Sequence, residues 1–240
     1  MKIGILETGR PPEGLEQHGT YGRMFERLLG PELDYVVYPV IDGVFPERVD
    51  EADGWLITGS RFGVYDDAPW IRALEEFVRQ VVAARVPLVG ICFGHQILAS
   101  ALGARVEKAA VGWGLGPHDY AIVERAAWLD GLAERFTLNA FHQDQVLSLP
   151  PGARLIARSD FCPYAALAYG DHAMSIQAHP EFDNAYERAL IGLRRGAVIP
   201  EERADPALAS TAETGVAADA PNAARWIRDF FARAGAADAG

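Results

Sequence analysis

Cysteine is nearly missing from this chain: Cys92 and Cys162 are the only two among 240 residues. Two are too few for a disulfide framework, and each sits among apolar or aromatic neighbours, as in a chain kept in a reducing compartment. Positive charge is also in short supply. Lysine plus arginine number 22 against 33 aspartate plus glutamate, a formal charge of −11. That balance disfavours nucleic acid and anionic membrane as partners and leaves a basic protein partner open. No apolar run approaches the roughly 18 residues that a spanning helix requires. The opening stretch Met1 to Leu6 is too short for a signal core, and Glu7 and Arg10 break any apolar continuation. The cytoplasm is therefore the expected location. Also absent are a P-loop consensus, a dinucleotide fingerprint after the first strand, and any zinc-type spacing of Cys and His. Neither a metal nor another cofactor is expected, and the chain is not expected to activate a nucleotide by itself.

Half of the residues are hydrophobic and 23% are charged, which is the composition of a globular chain able to bury a substantial core. Short apolar runs at Ile3 to Leu6, Asp34 to Val40, Ala52 to Thr58 and Val86 to Ile91 read as strands. Between them lie amphipathic stretches. Tyr21 to Leu29 has helical spacing, and Pro69 to Ala84 places Pro at a first turn with Trp70, Ile71, Leu74, Phe77, Val78 and Val81 on one side. Phe93 to Leu102 resumes the helical pattern. From about 105 to 177 the pieces become short and alternating, as in strands and hairpins added to a sheet: Tyr120 to Val123, Arg135 to Leu138, Arg154 to Ala157 and Ala173 to Ile176. The expected fold is α/β, with three layers: a mostly parallel central sheet, helices on both faces, and added antiparallel strands. Glu187 to Arg194 is helix-like. Residues 200–221 read as coil, Asn222 to Phe231 as a closing helix capped by Asn222, and Ala234 to Gly240 as a frayed end. The expected organisation is a domain over residues 1–195, with 196–240 forming a coil and a helix packed on it.

Chemistry concentrates at Gly90-Ile91-Cys92-Phe93-Gly94-His95-Gln96. A strand running into Gly-x-Cys-x-Gly and then a helix holds its central residue at the tip of a strained turn. A thiol there gains from the helix N-terminus, and the Phe93 N–H is placed to receive an oxyanion. A buried structural cysteine is the alternative; the flanking glycines favour the nucleophile. Its base would be His179, in Ala178-His179-Pro180-Glu181, where an apolar run ends and Pro180 keeps His179 out of helical geometry. Glu181 would orient the imidazole. His95, one turn beyond the elbow, points away and is not favoured. A surface role for His179 is the competing reading.

These paired motifs resemble the class I, triad-type glutamine amidotransferase domain, a flavodoxin-like fold, over roughly residues 1–195. The resemblance implies Cys92 as nucleophile, His179 as base and Glu181 as its carboxylate. It also implies a second oxyanion N–H in the loop at Gly59-Ser60, with Gln96 lining the glutamine pocket. The stretches Gly59 to Asp67, Gly112 to Gly116 and Phe141 to Val146 are similar to a free-standing branch related to the glutaminase part of GMP synthase and to plant γ-glutamyl peptidases. There the family often has a glutamate after the Trp113 position, and this chain has Gly114. His142 and Gln143, beside Phe141, are candidate substrate contacts or structural residues. Trp113 and Cys162 are expected to be packing residues.

The resemblance implies a glutaminase that cleaves glutamine to glutamate and ammonia through a γ-glutamyl thioester, with a separate synthase as possible partner. A stand-alone γ-glutamyl peptidase or hydrolase is the alternative, and a non-catalytic binding protein on the same fold is a third.

Overall fold

The computed structural model describes residues 1–129, 134–214 and 219–237. In chain order its elements are β1 (Lys2–Leu6), α1 (Tyr21–Leu29), β2 (Asp34–Tyr38), β3 (Gly54–Ile57), α2 (Pro69–Ala83), β4 (Leu88–Ile91) and α3 (Phe93–Ala101). There follow β5 (Val106–Lys108), β6 (Gly114–Ile122), β7 (Arg135–His142), β8 (Asp144–Val146), β9 (Ala153–Arg158), β10 (Ala166–Tyr169) and β11 (Ala173–Ile176). The chain closes with α4 (Asn184–Arg194), α5 (Glu201–Thr214) and α6 (Ala220–Ala237).

The main sheet runs β2-β1-β3-β4-β11-β10-β9-β6-β7. Its first five strands are parallel, and β10, β9, β6 and β7 continue it in antiparallel pairing. Strand alternation sorts the core into two layers. Ile3, Ile5 and Leu56 pack with Phe25 and Leu29 of α1 and with Trp226, Ile227 and Phe230 of α6. Trp55 and Ile57, one residue either side of Leu56, pack on the opposite face with Trp70, Leu74 and Val78 of α2 and Ile97 and Leu98 of α3. The fold is thus the expected three-layer α/β sandwich. Local signals set the helix starts: Thr20 accepts from the Arg23 N–H at α1, Pro69 opens α2, and Asp183 accepts from the Tyr186 N–H at 2.7 Å on α4. Among the described residues no helix is long and apolar enough to cross a membrane.

Two expectations are corrected. Much of the stretch read as coil, 200–221, is helix α5, despite Pro206 inside it. Ala204, Ala207 and Thr211 fall on one face and are buried; the two alanines pack with Leu115 of β6 and Ile191 of α4. Arg195 ties the first turn down through Asp205 and Glu201. The alanines and glutamates of α5 favour helix, and tertiary burial holds the helix through Pro206. Secondly, α6 begins at Ala220, so Asn222 lies inside it instead of capping it. The Asn222 amide donates to Asp219 Oδ1 at 2.7 Å, and the Ala223 N–H bonds the Asp219 carbonyl. The helix also continues to Ala237 through the stretch read as frayed; residues 238–240 lie outside the described residues.

Candidate active site

Three neighbouring parallel strands end side by side: β3 leads to Gly59, β4 to Cys92, and β11 to His179. Carboxyl ends of parallel strands form a crevice, and here each delivers one component of the site. Cys92 sits between β4 and α3 with φ 52° and ψ −102°, one of two non-glycine residues with positive φ among those described. Such a conformation costs about 1–3 kcal/mol and persists only where neighbours impose it. Its N–H bonds the Ile176 carbonyl at 2.9 Å and its carbonyl takes the Gln96 N–H at 3.0 Å. The flanking glycines have no room to be anything else: a Cβ on Gly90 would lie 2.4 Å from the Gly94 carbonyl oxygen, and one on Gly94 2.4 Å from that of Ile57. Because α3 starts at Phe93, the Phe93 N–H is among the helix-start donors that have no intrahelical acceptor.

His179 is buried beside this turn. Its N–H bonds the Asn139 carbonyl at 2.8 Å, and its Nδ1–H donates to Glu181 Oε1 at 2.7 Å. Its ring lies flat on Phe182, with centroids 3.9 Å apart and planes within 3°. The Asn139 amide donates to the Phe182 carbonyl and to Asn184 Oδ1, each at 3.0 Å, which pins the 179–184 turn against β7. With Nδ1 engaged by Glu181, Nε2 is the ring nitrogen left to serve a reacting group. Burial alone would pull the imidazole down. The charges of Cys92 and Glu181 beside it, with hydrogen bonds to both, outweigh burial and hold it well above its ordinary value. Gly59 closes the other side, where a Cβ would stand 2.8 Å from His179 Cε1 and 3.7 Å from Cys92 Cβ.

These groups open into a cavity of about 990 Å3 lined by Cys92, His179, Gly59, Ser60, Gln96, His142 and Gln143. Gln96 is held by bonds from its amide to the Asp144 carbonyl at 2.9 Å and to Gln177 Oε1 at 3.2 Å. The Ser60 hydroxyl is already engaged, donating to the Thr8 carbonyl at 2.6 Å, so it braces the loop. The Phe93 ring is fully buried against Trp70, which leaves only its backbone to the site. His142, at the end of β7, is 4% exposed, and burial pulls its imidazole down to about 3. It is thus a neutral ring built into the wall. Glu181 does not line the cavity; it stands behind His179. His95 bonds the Ser175 hydroxyl at 2.7 Å on the far side of the elbow, and burial pushes the Cys162 thiol up to about 12. Trp113 packs on Phe141, centroids 5.6 Å apart, and also lines the cavity.

Sequence reasoning missed several neighbours. Tyr21, Leu193, Arg194 and Val198, outside every motif, also line the cavity, as does Tyr65 within the Gly59 to Asp67 stretch. Glu187, fully buried on α4, takes the Gly116 N–H at 3.0 Å, has an Oε2 without a partner, and is pushed up to about 8 by burial. Its position in a helix of mixed composition carried no signal. Among the described residues, no group of three or more His, Cys, Asp and Glu side chains could hold a metal ion.

Comparisons with known proteins place the chain in a family. The model of the class I glutamine amidotransferase family matches residues 36–191. γ-Glutamyl peptidase 3 of Arabidopsis thaliana is 33% identical over 175 residues, covering 69% of this chain and 70% of that protein. The glutamine-hydrolysing GMP synthase of Thermomicrobium roseum is 39% identical over 132 residues, 53% of this chain but 23% of that enzyme. In three dimensions, a glutamine amidotransferase of Thermotoga maritima superposes with a TM-score of 0.76 over 98% of both chains at 18% identity, a likeness of fold. On these matches the chain belongs to the class I glutamine amidotransferase family.

Proposed function

We propose that this chain is a cysteine hydrolase of γ-glutamyl amide bonds, and that it works on leaving groups larger than ammonia. The observation that carries the second clause is the cavity. At about 990 Å3 it stands at the upper end of small-molecule sites, and glutamine would occupy a small part of it. The 33% identity to a γ-glutamyl peptidase, over 70% of that protein, supports the same reading.

The chemistry follows from the geometry. The Cys92 thiolate, paired with the His179 imidazolium, attacks the γ-carbonyl carbon. The oxyanion is received by backbone N–H groups at Phe93 and Gly59. His179 passes its proton to the departing amine as the C–N bond breaks, leaving a γ-glutamyl thioester on Cys92. Water, deprotonated by His179, attacks the thioester carbonyl, and glutamate departs as the thiolate is restored. Glu181 keeps Nδ1 protonated throughout, so that Nε2 always faces the reacting atoms. Gln96, Gln143 and the wall at His142 contact the glutamyl part.

A glutaminase serving a separate synthase is the second reading, favoured by the identity to GMP synthase. Glutamate release by the purified chain from glutamine and from γ-glutamyl dipeptides decides between them. Cys92-dependent turnover of dipeptides at least about tenfold above glutamine is expected. Turnover confined to glutamine would select the second reading, and equal release by the Cys92→Ala protein would discard both.

A further inference from the structure

Two consecutive arginines end the α4 region, and their surroundings differ. Arg195 is committed, with Nε on Asp205 at 2.6 Å and Nη1 on Glu201 at 2.7 Å. Arg194 is half-buried, lines the cavity that holds Cys92 and His179, and has no ion pair among the described residues. Its charge acts on the Tyr21 hydroxyl, which also feels Cys92 and Glu181, so it stands on the reacting side of the molecule. Around it the cavity wall is apolar: Leu190, Leu193, Val198, Trp113 and Phe141. Leu193 and Val198 are 47% and 54% exposed and extend that apolar wall to the cavity mouth.

A glutamyl group is polar at its α-carbon and finds polar lining at Gln96, Gln143, Lys108 and Asp144. It has no body to cover the apolar wall. A ligand that fits that wall and the Arg194 guanidinium beside it combines an aliphatic or aromatic side chain with a free carboxylate. We infer that Arg194 and its apolar surround are the leaving-group subsite, selecting γ-glutamyl amides of apolar amino acids through the carboxylate of the departing residue. The assignment rests on the γ-glutamyl hydrolase reading.

The test compares three substrates: γ-glutamyl-leucine, γ-glutamyl-isoamylamine (the same body without the carboxylate) and glutamine. Their kcat/KM values are measured on the wild type, Arg194→Gln and Arg194→Lys. Wild type should prefer the leucine conjugate over the isoamylamine conjugate by about ten- to hundred-fold, the worth of one charge-assisted contact. Arg194→Gln should erase most of that preference, and Arg194→Lys should restore part of it. No wild-type preference, or an equal loss on all three substrates in Arg194→Gln, overturns the assignment; the second outcome would put Arg194 on the glutamyl carboxylate instead. Calorimetric binding of the same two conjugates to Cys92→Ala keeps the assignment separate from turnover. If no substrate is cleaved in a Cys92-dependent way, the hydrolase reading fails, while tighter binding of the leucine conjugate, lost in Cys92→Ala/Arg194→Gln, still upholds the subsite.

Discussion

At the scale of single residues, the site depends on one strained backbone and one oriented ring. Replacing Cys92 by Ala removes the proposed nucleophile and should lower kcat by at least about 10^4-fold, measured as glutamate release. Glu181→Ala leaves Cys92 and His179 in place but frees the ring, whose Nδ1 then lacks its acceptor. A loss of about 10^2- to 10^4-fold in kcat, with little change in KM, is expected. Gly59→Ala separates space from chemistry. Its new methyl would meet His179 Cε1 at 2.8 Å, so the imidazole must move. A drop in kcat with near-native thermal stability is the expected result; unchanged kcat would show that the ring has room to give.

The elements explain why those residues meet. A turn that forces positive φ on Cys92 is tolerable only because β4 and α3 approach each other without side chains at Gly90 and Gly94. Gly90→Ala pushes a Cβ into backbone, which cannot swing aside as a side chain can. It should destabilise the fold by about 3 kcal/mol, read as a shift of the denaturation midpoint, and lower activity with it. This part of the architecture was legible in the sequence, because the elbow is a local device: strand, glycine, cysteine, glycine, helix. The same holds for α2, whose six buried apolar residues follow helical spacing from Pro69 onward. Helix α5 was not legible. Pro206 interrupts a sequence whose alanines and glutamates otherwise favour helix, and contact with β6 and α4 holds the helix through it. Nor was the full length of β6, since a strand starting Gly-Leu-Gly-Pro carries no alternating pattern of its own.

For the molecule as a whole, the buried acid Glu187 ties stability to pH. Its carboxyl is pushed up to about 8, from about 4.5 when unburied. The folded state therefore holds a proton that the unfolded chain releases between those values. The stability it contributes is fully present below about pH 4.5 and is lost as pH rises through about 8. Glu187→Gln keeps an acceptor for the Gly116 N–H and removes the titration. Thermal unfolding followed from about pH 5 to about pH 8.5 should flatten relative to wild type, by an amount on the order of a few kcal/mol at the alkaline end. An identical slope in both proteins would mean that Glu187 is ionised at neutral pH. His179, held well above its ordinary value, contributes in the same direction: its share is complete below about 6.5 and falls away as pH rises through its folded value.

By itself the sequence determined the α/β layering, the turn around Cys92, and the His179-Pro180-Glu181 run at the end of an apolar stretch. These are matters of spacing along the chain, where steric rules act between near neighbours. Tertiary structure alone decided that Cys92, His179 and Gly59 share one sheet edge at contact distance, because strand order is set by packing between distant segments. It also decided the volume of the cavity, the burial that neutralises Glu187 and His142, and the placing of Arg194, without an ion pair among the described residues, in an apolar wall. Charge and burial are properties of a surrounding that the chain acquires only when it folds.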